Sequence, residues 1–187
     1  MIYTEQIIPD PVFKFIKIIC LTSILCWLAA CVKAPEGTSP INGFELNRYL
    51  GKWYEIARLD HSFERGLIMV SANYSLRDDG GINVINRGFN PDKNEWEEVT
   101  GKAYFVDKPD VGQLKVSFFG PFYGAYNILE LDKSAYRYAL VAGPDRSYLW
   151  ILARSPELEQ TIIDQLVQKA KSLGFPTDEL IYVKHQL

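Results

Sequence analysis

Few residues in this sequence have the types and spacing that enzyme chemistry requires. The chain contains two histidines, His61 and His185, and three cysteines, Cys20, Cys26 and Cys31. Neither a G-x-S-x-G nucleophile turn nor an H-E-x-x-H zinc motif occurs. Because the usual nucleophile and zinc sites are absent, we expect a protein without catalytic activity, bound metal or cofactor.

Glu55 is the strongest candidate for a buried carboxylate. It lies on the inner face of its predicted strand if Trp53 does, since residues two apart share a face. A carboxylate in an apolar interior has a raised pKa or needs a cation. An ion pair with an arginine such as Arg87 is a better expectation than general-base catalysis. Glu64 and Arg65, in the loop that follows, are expected to face water.

An apolar run from Ile18 to Val32 follows two lysines, Lys14 and Lys17. It is shorter than the roughly 20 residues that a membrane-spanning helix needs, and its form is that of a secretory signal. Its end, Leu28-Ala29-Ala30-Cys31, resembles the lipobox of bacterial lipoproteins. We therefore expect a signal peptide over residues 1–30 and a lipid anchor on Cys31. The alternative is a chance match inside an uncleaved anchor.

Processing at this point leaves a mature chain that cannot form an internal disulfide, because Cys20 and Cys26 are removed and Cys31 carries lipid. Val32 stands where an aspartate would retain the protein at the inner membrane, by resemblance to enterobacterial sorting. The expected location is the outer membrane, with a lipid anchor on the periplasmic side. Residues 31–42 form the lipidated N-terminus and tether, and Pro35–Pro40 is predicted to be flexible.

Composition points to one folded domain. The chain has 187 residues, of which 48% are apolar and 23% charged, as in ordinary globular proteins. Its 20 basic and 23 acidic residues give a net charge of −3, with no block of either sign. That charge pattern argues against nucleic-acid partners.

The elements that must position any site are strands. Eight short runs rich in Val, Ile, Tyr and Phe alternate with turn residues, which indicates an antiparallel sandwich or barrel. The predicted strands begin near Trp53, Ser71, Ile82, Glu95, Gln113, Tyr123, Arg137 and Tyr148.

One helix is predicted after the last long strand. Ser155 is a good N-cap, Pro156 suits the first helical position, and Gly174 is a typical stop. Apolar residues recur every three or four positions between them, so one face should pack on the barrel wall. The stripe consists of Leu158, Ile162, Leu166, Ala170 and Leu173. A short edge strand is predicted at Ile181-Tyr182-Val183.

Several motifs resemble those of the lipocalin family. Gly51 and Trp53 form its Gly-x-Trp signature, Asp132–Tyr138 resembles its second conserved turn, and Arg154 closes the last strand. The segments WYEIARLDHSFERGL, NYSLRDDGG, KVSFFGPFYG and GPDRSYLWIL are similar to the bacterial outer-membrane members. The resemblance covers residues 41–187 and implies an all-β fold, with a lipocalin domain over 43–187. That fold is an eight-stranded antiparallel up-and-down β-barrel, a calyx with a C-terminal α-helix packed outside. It also implies that Arg154 lies across Trp53 as a cation–π pair.

Alternation along the strands predicts which side chains point into the barrel. The inward set is Val70, Ala72, Tyr74, Ile82, Val84, Asn86, Val99, Phe105, Leu114, Val116, Phe118, Tyr126, Ile128, Val141, Tyr148, Trp150 and Leu152. Those nearer Trp53 and Arg154 should fill the closed end. The predicted lipid contacts are Tyr74, Val84, Phe105, Val116, Phe118, Tyr126 and Trp150. Phe63, Leu67 and Met69 are expected in a long first loop over the mouth.

Two functions follow as hypotheses. The resemblance implies a calyx that binds fatty acids and lysophospholipids, for lipid storage or transport at the envelope under stress. It also implies a homodimer whose partner loops shape the mouth. The alternative is an envelope interaction or structural module whose barrel is filled by its own aromatics, with a useful outer surface around Pro121-Phe122-Tyr123.

Overall fold

A computed structural model of the protein describes residues 32–186. The predicted signal peptide and Cys31 lie outside the described residues. The strands are β1 (Gly51–Arg58), β2 (Ile68–Leu76), β3 (Ile82–Asn90), β4 (Glu95–Phe105), β5 (Gln113–Ser117), β6 (Gly124–Leu131), β7 (Tyr138–Ala142), β8 (Leu149–Ala153) and β9 (Ile181–Tyr182). The helices are α1 (Leu46–Tyr49), α2 (Gln160–Ser172) and a 3₁₀ turn at Thr177–Glu179.

The strands close into a barrel. Their order is β2-β3-β4-β5-β6-β7-β8-β1-β9, every pairing is antiparallel, and β2 also pairs with β1. That last pairing joins the two edges of the eight-stranded sheet. None of β1 to β8 is therefore left as an unpaired edge strand. The predicted eight-stranded barrel is confirmed.

Strand β8 explains why apolar residues occur on both faces of the sheet. Trp150 and Leu152 point inward, while Leu149 and Ile151 point outward and are also buried. Helix α2 covers this outer face with Leu166 and other apolar side chains. The outside helix predicted from the apolar stripe is therefore present.

Helix α2 begins later than the sequence predicts. Its N-cap is Glu159, whereas Ser155 accepts a hydrogen bond from the Glu157 N–H at 3.4 Å in a local turn. Residues 154–159 connect the end of β8 to the outer wall of the barrel, and Leu158 in this connection packs against the outer apolar cluster. The predicted stop is confirmed, because Gly174 adopts a φ of +82° directly after the helix.

The segment before α1 lies against the barrel. The Glu36 carbonyl accepts a hydrogen bond from Arg146 Nη2 at 2.6 Å. The carbonyls of Val32 and Lys33 accept hydrogen bonds at 3.5 Å from the side-chain amides of Gln113 in β5 and Asn127 in β6. These contacts place Glu36 and the residues before it against the barrel, and the flexibility of Pro35–Pro40 stays a prediction. Among residues 32–186, no helix is both long enough and apolar enough to cross a membrane.

Candidate functional site

The closed end of the barrel is sealed by Trp53. Its ring is fully buried, its Nε1 donates to the Tyr49 carbonyl at 2.7 Å, and the Arg154 guanidinium lies 4.1 Å from its ring centroid. Arg154 also donates to the carbonyls of Arg48 at 2.6 Å and Lys52 at 2.9 Å. The predicted cation–π pair is confirmed, and it ties α1, β1 and β8 together.

Gly51 is required at this seal. Its φ is +90°, a conformation that residues with a side chain rarely adopt. The glycine of the signature therefore serves the fold.

Three tyrosines fill the barrel next to Trp53 at the closed end. The Tyr126 hydroxyl lies 2.7 Å from that of Tyr49 and 3.0 Å from that of Tyr74. Burial raises the pKa of Tyr74 to about 12 and those of Tyr49 and Tyr126 well above the ordinary value, so all three stay protonated. The void beside them measures about 10 Å³, room for about one water molecule. The lower barrel is thus packed with its own side chains.

The open end contains a larger cavity of about 120 Å³ under the β1–β2 loop, residues 59–67. Apolar side chains come from the loop and from β2 and β4, and polar groups border them. The lining consists of Phe63, Glu64, Leu67, Val70, Asn86, Arg87, Glu97, Glu98 and Val99. Gly88 makes this packing feasible, because a Cβ there would lie 3.0 Å from Leu67 Cδ1.

The predicted lipid contacts all lie in or against the inner apolar cluster. They are Tyr74, Val84, Phe105, Val116, Phe118, Tyr126 and Trp150. Tyr74, Val116 and Tyr126 line the small void rather than the larger cavity. Contact of any of the seven with a ligand stays a prediction. The sequence predicted Val70, Asn86 and Val99 as inward and Phe63 and Leu67 over the mouth, but it did not predict these five as lipid contacts.

A bulge in β1 brings two charged residues onto the inner face. Glu55 pairs with Leu152, whereas Arg58 pairs with Trp150, so Ile56 is an extra residue. Without it, Arg58 would point outward. The C-terminal segment completes the bulge, since the Val183 N–H donates to the Ile56 carbonyl at 3.0 Å.

Arg58 holds the β1–β2 loop against the barrel. Its guanidinium is buried and donates to Glu55 Oε1 at 2.7 Å, to the Glu64 carbonyl at 3.0 Å and to the Leu67 carbonyl at 3.3 Å. The partner of Glu55 is therefore Arg58, and the prediction of Arg87 is wrong. Arg87 instead stacks on Trp96, 4.3 Å from its ring centroid.

Glu64 closes the same cluster from the loop. Its Oε1 accepts the Trp150 indole N–H at 2.9 Å, and the residue is only 7% exposed. The expectation that Glu64 faces water is therefore wrong, whereas Arg65 is exposed and pairs with Asp60 at 2.7 Å. Spacing alone could not reveal this contact, because it joins residues far apart in the chain.

Burial sets the protonation of this cluster, named here the Arg58 cluster: Glu55, Arg58, His61, Glu64 and Trp150. Burial, followed by the neighbouring Glu64 carboxyl, raises the pKa of Glu55 well above its usual range. Burial also raises the pKa of Glu64. Burial and then Arg58 lower the pKa of His61 to about 4. The Arg58 guanidinium is thus close to the carboxyls of both Glu55 and Glu64, and their raised pKa values disfavour ionisation of both at once.

Comparisons with known proteins agree with this geometry. A family model described as a lipocalin-like domain matches residues 44–185. Outer membrane lipoprotein Blc of Vibrio cholerae serotype O1 is 56% identical over 165 residues, which cover 87% of this chain and 96% of that protein. The protein of the same name from Escherichia coli (strain K12) is 55% identical over 150 residues, covering 80% of this chain and 84% of that protein.

Solved structures show the same fold. Insecticyanin from the tobacco hornworm Manduca sexta superimposes with a TM-score of 0.66 at 23% identity, over 82% of this chain and 87% of that chain. At this identity the likeness concerns the barrel and not its ligand.

Proposed function

The chain belongs to the lipocalin family, whose members bind small hydrophobic molecules, and on that premise we propose that it holds a fatty acid or a lysophospholipid in its barrel. Like its named bacterial relatives, it is an outer membrane protein. The proposed role is lipid storage or transport for envelope maintenance under stress. We further propose that Cys31 carries the lipid anchor, that the protein acts without catalysis, and that it forms a homodimer.

The observation that carries this proposal is the cavity under the β1–β2 loop. Phe63, Leu67, Val70 and Val99 give it an apolar surface, and charged residues border it, as an acyl chain with a polar head requires. Each buried methylene contributes about 0.8 kcal/mol, so the chain supplies most of the affinity.

The cavity is smaller than a lipid. Its volume of about 120 Å³ is below the roughly 300–1,000 Å³ of ordinary ligand sites, so the β1–β2 loop must move for a lipid to enter. Phe63, at the tip of this loop, is 62% exposed and therefore loses little apolar burial when the loop opens.

Titration of delipidated protein with lysophospholipid and matched fatty acid tests the proposal. The form used begins at Val32, and tryptophan fluorescence reports binding because Trp150 lies beside the cavity lining. We expect a saturable change at lipid concentrations below micelle formation. Val99→Glu places a carboxylate in the cavity and should weaken binding at least about tenfold.

Val106→Glu is the matched control. Val99 and Val106 have the same side chain and the same exposed fraction, 38%, but Val106 directly follows the last residue of β4 and does not line the cavity. It should bind lipid like the parent. A folded parent without any saturable response would instead favour the envelope module with a filled barrel. The three packed tyrosines are the side chains that would fill the barrel in that alternative.

A further inference from the structure

Two phenylalanines stand exposed on the β5–β6 loop, residues 118–123. Phe119 is 76% exposed and Phe122 is 74% exposed, the largest fractions among the exposed large apolar residues. The Phe122 N–H donates to the Phe119 carbonyl at 3.1 Å, so a tight turn fixes both at the loop tip. Two large aromatic side chains exposed on one short loop mark a surface that contacts an apolar partner.

This loop is uncharged, unlike its neighbours. Four loops lie at the open end, and the other three carry charged residues. These are Asp60, Glu64 and Arg65 in the β1–β2 loop, Asp92 and Lys93 in the β3–β4 loop, and Asp145 and Arg146 in the β7–β8 loop. The β5–β6 loop contains only Phe118, Phe119, Gly120, Pro121, Phe122 and Tyr123. Burying it in an apolar phase therefore desolvates no charged side chain.

Below the tip, the outer wall changes from aromatic to basic. Lys115 Nζ lies 5.2 Å from the centroid of the Tyr123 ring, and Lys102 is opposite Ser117 on the neighbouring strand. An apolar tip followed by tyrosine and then lysine matches the order of acyl chains, interface and phosphate headgroups in a bilayer.

The N-terminal segment reaches the same strand. The Val32 carbonyl accepts a hydrogen bond from Gln113 Nε2 at 3.5 Å, at the start of β5. Cys31, the proposed anchor, is one peptide bond away. Phe119 lies six residues along the chain from Gln113, which is about 20 Å for an extended strand.

We propose that the β5–β6 loop inserts Phe119 and Phe122 into the phospholipid bilayer that holds the anchor, and thereby presents the open end of the barrel to membrane lipid. This proposal rests on the lipid anchor and lipid binding proposed above. The uncharged loop favours a bilayer as the occupant, and Val32 lies beside the strand that leads into this loop. Lipid then passes between membrane and cavity without crossing bulk water.

Site-specific labelling of the full lipidated protein tests this docking. Vesicles of phosphatidylethanolamine and phosphatidylglycerol carry the protein, and an environment-sensitive fluorophore is attached to Phe122→Cys. The mature chain offers no competing thiol once Cys31 is acylated. Leu76→Cys is the matched control, since Leu76 is apolar and 55% exposed at the other end of the barrel.

We expect a quencher on the acyl chains of the lipid to reduce emission at position 122 at least about threefold more than at position 76. Equal quenching at both positions, in protein that floats with the vesicles and takes up lipid, overturns the docking and leaves the proposed function standing. Unlabelled protein that neither floats nor takes up lipid overturns the proposed function itself. A fluorophore at 122 that is shielded from water but untouched by the quencher overturns the bilayer as partner and indicates a second copy of the chain.

A transfer assay supplies a second readout. The double variant Phe119→Ser, Phe122→Ser removes two exposed rings and leaves the inner cluster intact. We expect lysophospholipid transfer from vesicles to slow about tenfold, with unchanged affinity for monomeric lipid. Leu76→Ser should transfer at the parent rate, and a double variant that transfers equally fast overturns the proposal.

Discussion

The Arg58 cluster is a buried group of charges whose members depend on one another. Arg58 is 2% exposed, and removing a charge from water costs several kcal/mol unless partners replace the water. Glu55 supplies an ion pair and the β1–β2 loop supplies two carbonyls. Burial raises the pKa of both Glu55 and Glu64, so a second negative charge beside Arg58 is disfavoured.

His61 makes native stability depend on pH. Its native pKa of about 4 lies below the ordinary 6.5, so between these values the unfolded chain binds a proton that the folded chain does not. Stability therefore falls as pH falls through this window. His61→Phe keeps an aromatic ring between Phe63 and Tyr148, on which the imidazole stacks. Relative to the parent, it should gain about 1–2 kcal/mol between pH 7 and pH 5 in urea unfolding.

Glu55→Gln is the control, because its stability relative to the parent should change with pH in the opposite direction to that of His61→Phe. Because the native pKa of Glu55 is raised, its contribution is present below the ordinary 4.5 and is lost as pH rises toward the native value. The amide mimics the protonated carboxyl, so this variant should gain relative stability as pH rises. If both variants shift in the same direction with pH, the protonation states assigned to the cluster are wrong.

At the scale of elements, the β1–β2 loop is held by few but specific bonds. Arg58 donates to two of its carbonyls, and the Trp150 indole N–H on the neighbouring strand β8 donates to Glu64 Oε1. Each bond stabilises the closed loop and therefore opposes entry of a lipid. We therefore predict that lipid binding requires the Arg58 cluster to open.

Trp150→Phe tests this prediction. The variant keeps an aromatic ring but leaves a buried carboxyl oxygen of Glu64 without its donor, which costs the closed loop about 1–3 kcal/mol. Lipid association, measured by stopped-flow with a fluorescent lysophospholipid, should accelerate about tenfold. Trp96→Phe makes the same substitution at an exposed ring outside the cluster and should leave the rate unchanged. An unchanged rate in Trp150→Phe would show that loop opening does not limit entry.

The same element shows where sequence reasoning stops. Alternating residues predict the strands, and Gly51, Trp53 and Arg154 predict the closed end, because these signals are local or carried by a signature. No glycine or proline near Ile56 predicts the bulge, and the bulge turns the Arg58 side chain from the outer to the inner face of the barrel. The contact between Glu64 and Trp150 spans 86 residues, and only the closed barrel brings the two together.

For the molecule as a whole, the barrel has two compartments. The three tyrosines pack next to Trp53 at the closed end, and the cavity is lined separately by the β1–β2 loop and by residues of β2, β3 and β4. An acyl chain that enters from the mouth should therefore gain affinity with length until its end meets the tyrosine hydroxyls. Each methylene buried before that point adds about 0.8 kcal/mol, or roughly a fourfold decrease in Kd.

Tyr126 sets the chain length at which this gain ends. Tyr126→Ala removes the ring that bonds both Tyr49 and Tyr74, so the plateau in affinity should move to longer acyl chains. The parent and the variant are titrated with a series of lysophospholipids that differ only in chain length. Tyr126→Phe keeps the ring volume and should keep the parent plateau, which separates the effect of space from the loss of the hydroxyl. A plateau that stays in place in Tyr126→Ala would mean that the lipid ends above the tyrosines, within the cavity under the loop.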